Sequence, residues 1–200
     1  MKESVQQRTT RDAILDATDR LLARYGYKKM TIDDLAREVG IGKGSVYLHF
    51  ASKEEIALSH IDRIIDRLKQ NLIEIAAQPL GVGERLHSML VERVVLRFDS
   101  VQHYTQSLND LLSNLRPKLL ERRERYFDEE ARIFAGVIAE GQAAKLFAAG
   151  DAFDLAQTLI SATNSLLPYS LSAFELGDRK DVARRAEKTA DLLIRGLANK

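Results

Sequence analysis

The residues of this chain best suited to chemistry are Lys43, Ser45, Tyr47 and His49, within a stretch that reads T-I-D-D-L-A-R-E-V-G-I-G-K-G-S-V-Y-L-H-F-A-S-K from Thr31 to Lys53. If Lys43–Phe50 is helical, Val46 and Phe50 stand four residues apart and point to one side. The other four then face outward as hydrogen-bond donors with no acid among them. Such a set suits recognition of phosphate oxygens and base edges in a major groove. Gly44 lets the backbone approach a base pair closely. Thr31 and Lys53 open the flanking helices; with His49 they are expected to hold the DNA backbone, Lys53 beside helix N–H groups that themselves favour a phosphate.

Bond-breaking chemistry finds little support. Cysteine is absent, which removes disulfides, thiolate nucleophiles and cysteine metal sites and is compatible with a reducing cytoplasm, the expected location. The four histidines, His49, His60, His87 and His103, lack paired metal-ligand spacing, so no metal is expected. No G-x-S-x-G, Walker or dinucleotide glycine fingerprint occurs, and Gly40–Ser45 follows a helix rather than a strand. The expectation is a protein that is not an enzyme and carries no cofactor. No apolar run approaches the roughly 20 residues that cross a bilayer, and the first residues lack the apolar core of a secretory signal.

Two short helices and a turn must position the donor face. Thr31 is a natural cap, with Asp33 and Asp34 in the first turn where negative charge suits exposed N–H groups. Leu35, Ala36 and Val39 share a face. Gly40 stands where a helix stops with positive φ, and Ile41 is apolar in a turn too short to hide it except between two helices. Ser52 and Glu55 form a capping-box pattern for the next helix. Before this stretch, Ile14, Ala17, Leu21, Leu22 and Tyr25 recur at helical spacing until Gly26, predicting a three-helix head. Met1–Lys53 carries ten Lys+Arg against seven Asp+Glu, although the whole chain is only +1, so the positive excess lies with the head. Lys2, Arg8 and Arg11 fit either a DNA-following arm or a solvated end.

The pattern T-x-x-D-L-A-x-x-V-G-I-x-x-G-S-V-Y-x-H-F-x-S-K resembles the DNA-binding segment of the TetR family of bacterial transcriptional regulators. Gly42 departs from it, at a position where the family often has serine or alanine. The resemblance implies an all-α fold in two parts: a helix-turn-helix DNA-binding domain over residues 1–53, continuing into the start of the fourth helix, and a helical effector-binding and dimerisation domain over residues 54–200. It further implies a homodimer on double-stranded operator DNA, repression as the usual mode, and release by a small molecule.

The remaining chain also reads as helices, with no strand signal, repeat or low-complexity segment. Ile56 to Ile75 predicts one long helix ended by Pro79 and Gly81, either a lever between the two parts or a plain linker. Helices follow over 83–98, 102–115, 117–144, 151–174 with a bend at Pro168, and 179–197. Leu155, Leu159, Ala162, Leu166, Ala186, Leu193 and Leu197 either cap the body's own core or meet a symmetry mate in a four-helix interface; the family resemblance and half-site geometry favour the second. Met89, Leu90, Phe98, Tyr104, Leu108, Leu111, Leu112, Tyr126, Phe134 and Tyr169 are candidates to line a mainly apolar pocket for a hydrophobic or aromatic effector, or are ordinary core. His87, His103, Gln106 and Asn109 are candidate polar contacts there. Two rival classes remain at this level: an all-helical enzyme or carrier, and a dimeric protein-binding adaptor. Neither gives the basic helix a purpose.

Overall fold

The computed structural model describes residues 2–102, 105–168, 175 and 177–199, with the side chains of all but 2–8 and 105–110. The described residues are helical: α1 Lys2–Lys29, α2 Ile32–Val39, α3 Lys43–His49, α4 Lys53–Ala76, α5 Val82–Val101, α6 Thr105–Ala143, α7 Ala152–Thr163 and α8 Arg179–Leu197. One antiparallel bridge pairs Phe147 with Ala198. No helix among them is long and apolar enough to cross a membrane.

Two compact units emerge, Met1–Ile64 with His103–Leu119, and Ile65–Gln102 with Leu120–Lys200. The first extends beyond Lys53 because Ile56, Ala57 and Leu58 are buried in it, as are Leu111 and Leu115. Its core also takes Ile14, Leu15, Leu21, Leu22, Met30, Leu35, Val46 and Phe50. Tyr25 proves exposed and Tyr27 buried instead, because Gly26 breaks α1 at φ 72 and rotates the residues after it. The chain is helical from Lys2, so Lys2, Arg8 and Arg11 stand on the first turns of α1.

In the second unit α5 packs along α8, and Val94, Phe98, Leu167, Val182 and Ala186 form a core cluster between them. The segment after α6 is tied to the end of α8 by Ala148 N–H to the Leu197 carbonyl at 2.8 Å and Asn199 N–H to the Leu146 carbonyl at 2.9 Å.

Three expected helix boundaries move. Residues 105–143 form one helix through Pro117 where two were expected. Pro117 and Ser113, whose carbonyl would have accepted the missing N–H, both lie on the exposed side, where the lost bond costs least. At Pro168 the helix ends instead of bending. α7 stops at Thr163, a 3₁₀ turn covers Asn164–Leu166, and Leu167 is extended at φ −81, ψ 147, as a residue before proline must be. α5 begins at Val82 and runs three residues past Phe98.

Candidate nucleic-acid interface

Local chemistry sets the two helices of the head. The Thr31 side chain accepts from Asp34 N–H at 3.1 Å, while the Asp34 carboxylate accepts from Thr31 N–H at 3.1 Å and its hydroxyl at 2.6 Å. These bonds, the hydroxyl first, hold the Asp34 carboxyl below its ordinary pKa. α2 ends in a Schellman motif: Gly40 stands at φ 76, its N–H bonds the Arg37 carbonyl at 3.2 Å, and Ile41 N–H bonds the Ala36 carbonyl at 2.9 Å. Gly42 then opens α3 without a side-chain cap.

α3 is seated by Val46 and Phe50, both buried, and Arg11 lies over the Phe50 ring at 5.0 Å. Lys43, Gly44 and Tyr47 are exposed, while Ser45 and His49 are half-buried. Lys43 is tethered to Asp33 at 2.9 Å, which raises its pKa; as an exposed pair it contributes little to stability and can exchange for a phosphate.

Sequence reasoning passed over Leu48. With its side chain 85% exposed, it is the most solvent-accessible large apolar residue among those described, and Tyr47 beside it is 49% exposed. Two residues on from Val46, it projects about 200° around the helix, opposite the buried side and together with Gly44. Helical geometry carried that signal, but the reading weighed hydrogen-bond donors alone.

Lys53 differs from expectation. Its ammonium donates to the carbonyls of Tyr27 at 2.9 Å, Met30 at 3.1 Å and Lys28 at 3.5 Å, and partial burial lowers its pKa. Its donors therefore hold the end of α1 and do not project outward. Thr31 is exposed, its hydroxyl engaged in the cap. At Ser52 the hydroxyl half of the expected box is made, accepting Glu55 N–H at 3.1 Å. Arg20–Glu38 at 2.8 Å and Arg63–Asp16 at 2.7 Å join α1 to α2 and α4.

The other candidate sets divide. Met89, Leu90, Phe98, Tyr126 and Phe134 are buried in the second unit, whereas Leu111, buried, and Leu112, half-buried, belong to the first. Tyr104, Tyr169, His103 and the side chains of Leu108, Gln106 and Asn109 lie outside the described residues. His87 faces Asp191 at 3.3 Å. Of the expected dimer residues, Leu159 of α7 and Ala186 and Leu197 of α8 are corrected to the chain's own core, where each is buried, Ala186 in the cluster between α5 and α8. Leu155, Leu166 and Leu193 are half-buried, Ala162 is exposed, and Leu192, 62% exposed, marks the outward face of α8. Among the described residues no group of His, Asp or Glu is arranged to hold a metal.

The site missed entirely from sequence lies in the second unit. Arg93 Nε donates to Glu130 Oε2 at 2.7 Å, Nη1 to Thr163 Oγ1 and Nη2 to Asn164 Oδ1, each also at 2.7 Å. Arg97 donates to the other Glu130 oxygen and, at 3.0 Å, to the Arg93 carbonyl. All three ionic groups are buried. Burial pushes the Glu130 pKa up, but the Arg97 and Arg93 guanidiniums outweigh it and hold the carboxyl below its ordinary value.

Residues 14–59 match the profile of the bacterial regulatory proteins, tetR family. The fatty acid metabolism regulator protein of Bacillus subtilis is 25% identical over 203 residues, 98% of this chain and 99% of that one. Among solved structures, a TetR/AcrR-family transcriptional regulator from Thermobifida fusca is 25% identical with a TM-score of 0.71, covering 93% of this chain and 97% of that one. The Bacillus subtilis regulator FadR, solved in complex with stearoyl-CoA, shares the fold at 20% identity and a TM-score of 0.68, over 92% of this chain and 98% of that one. With the capped helix pair, the left-handed glycine between them and the exposed second helix, these matches make the chain a DNA-binding transcriptional regulator of the tetR family.

Proposed function

We propose that this chain is a homodimeric repressor that sits on a near-palindromic operator and is released by a small hydrophobic effector. Residues 1–53 read DNA in this proposal, and residues 54–200 bind effector and partner. The observation that carries it is α3 itself: Val46 and Phe50 are buried and seat the helix, while Lys43, Gly44, Tyr47 and Leu48 stand exposed. Those residues, with Ser45, face the groove, Leu48 as an apolar contact. Thr31 and His49 lie at its edges against the phosphates. Lys53 acts in DNA binding by holding α1 in place for that docking.

A second copy supplies the second half-site contact that gives a specific site its affinity. The partner surface is the outward side of α7, the 3₁₀ turn after it and α8, through Leu155, Ala162, Leu166, Leu192 and Leu193. For the effector, an acyl chain is supported by the apolar character of Met89, Leu90, Phe98, Tyr126 and Phe134, and by the stearoyl-CoA complex of the Bacillus subtilis FadR. Release follows from tighter effector binding to the conformation whose heads no longer match the operator.

Electrophoretic mobility shift with the DNA upstream of the protein's own gene, repeated at rising salt, tests this. A specific shift, steep loss of affinity with salt, and release on adding stearoyl-CoA are expected. Equal affinity for random DNA would overturn the operator assignment, and a complex indifferent to stearoyl-CoA and to shorter acyl chains would overturn the effector.

A further inference from the structure

Among the described residues, the charges of the Arg93–Glu130–Arg97 cluster in the second unit do not cancel. Two guanidiniums, Arg93 and Arg97, share the one carboxylate of Glu130. Arg93 is held on three nitrogens, by Glu130, Thr163 and Asn164. Arg97 is held on two, and its Nε, shielded from solvent, donates to no acceptor among the described residues. A buried cation with an unanswered donor is a costly arrangement, and its chemical complement is an anionic oxygen.

The surroundings say what that oxygen would be attached to. Arg97 lies on α5 between Val94 and Phe98, which belong to the apolar cluster with Leu167, Val182 and Ala186. The Phe127 ring lies 5.3 Å from the buried Arg93 guanidinium and 5.0 Å from that of the exposed Arg123. The excess positive charge of the cluster favours an anion, and the apolar cluster favours a hydrocarbon tail.

We propose that Arg97 anchors the effector: its Nε–H takes an anionic oxygen of an amphipathic ligand, a carboxylate or phosphate on an acyl chain, and so completes the charge balance of the Arg93–Glu130–Arg97 cluster. This rests on the effector reading above and names the ligand's charge as its entry requirement. The oxygen stays bound through a charge-assisted hydrogen bond, and no covalent step is involved.

Isothermal titration of the full-length protein with dodecanoate, dodecanoyl-CoA and 1-dodecanol tests it, in wild type, Arg97→Met and Arg97→Lys. At least one of the two anions binds wild type about tenfold or more tighter than the alcohol, and Arg97→Met abolishes that preference. Dodecanoate as the tighter ligand assigns the oxygen to a carboxylate, and dodecanoyl-CoA alone assigns it to the phosphates. Arg97→Met takes the partner from one buried Glu130 oxygen and lowers the unfolding midpoint whatever else Arg97 does, so the anion preference is the deciding readout: a purely structural Arg97 leaves that preference in place. Arg97→Lys keeps part of the preference, and decides the matter should the methionine variant not fold. Equal binding of acid, thioester and alcohol to wild type, or an anion preference that survives both substitutions, overturns the proposal and leaves a hydrophobic effector standing. Binding of none of the three overturns the acyl effector and this anchor together.

Discussion

The Lys53 ammonium donates to the Tyr27 carbonyl at 2.9 Å and lies 4.5 Å from the centre of the Tyr27 ring. One side chain at the start of α4 thus answers carbonyls just past the break in α1, a bond across 26 positions of sequence that fixes the back of the head. Lys53→Met keeps the apolar stem and removes the donors, so the loss isolates the ammonium's part. About 1–3 kcal/mol of stability is expected to go, read as a lower urea midpoint with unchanged m. An unchanged midpoint would return Lys53 to a role on DNA alone.

The two caps of the head make opposite predictions. Thr31→Ala opens the box with Asp34 and costs about 1 kcal/mol. Gly42→Ser adds a hydroxyl where α3 has none, at φ −73, with nothing within 4 Å of the new Cβ, and gains about 0.5 kcal/mol. Thermal unfolding of the two variants beside wild type separates them by sign.

Gly40 stands at φ 76, a region costly for other residues. Gly40→Ala is expected to lose about 1 kcal/mol and to weaken operator binding, because the Schellman turn sets where α3 starts. Circular dichroism melts and a mobility-shift titration of the same preparation check both.

At Gly141 a Cβ would come within 2.2 Å of the Phe147 ring, itself buried. Gly141→Ala therefore displaces Phe147 and the bridge to Ala198 beside it, and about 1–3 kcal/mol of stability should be lost. Hydrogen exchange at Ala148 and Asn199, whose N–H groups bond across that junction, should quicken.

Glu130 ties the second unit to pH. Because its folded pKa lies below the unfolded value, its contribution is complete above the ordinary 4.5 and is lost as pH falls through the lowered folded value. Glu130→Gln leaves two buried cations with no anion and is expected to cost about 3–5 kcal/mol at neutral pH, with less loss of stability between pH 5 and acid than wild type shows. Urea titrations at a series of pH values give both quantities.

How much of this was legible in the chain depends on the reach of each interaction. Thr31 and Asp34, Gly40 and Ala36, and Val46 and Phe50 act across three or four positions, so spacing alone placed the caps, the turn and the buried side of α3. The last helix was bounded in the same way, over 179–197, and the structure adds Asp178 as its cap. Even the exposure of Leu48 follows from its angle to Val46.

Interactions between helices had no such signature. Lys53 reads as one more outward cation until α1 and α4 are brought together, and Arg93, Arg97 and Glu130 read as ordinary surface charges on two amphipathic helices, their partners 33 and 37 positions away. Tertiary structure also decided which leucines of α7 and α8 turn inward, since a stripe shows that a face is apolar and not what it meets. Local hydrogen-bond chemistry is written in neighbouring residues, whereas desolvation and long-range charge pairing exist only once the helices have packed.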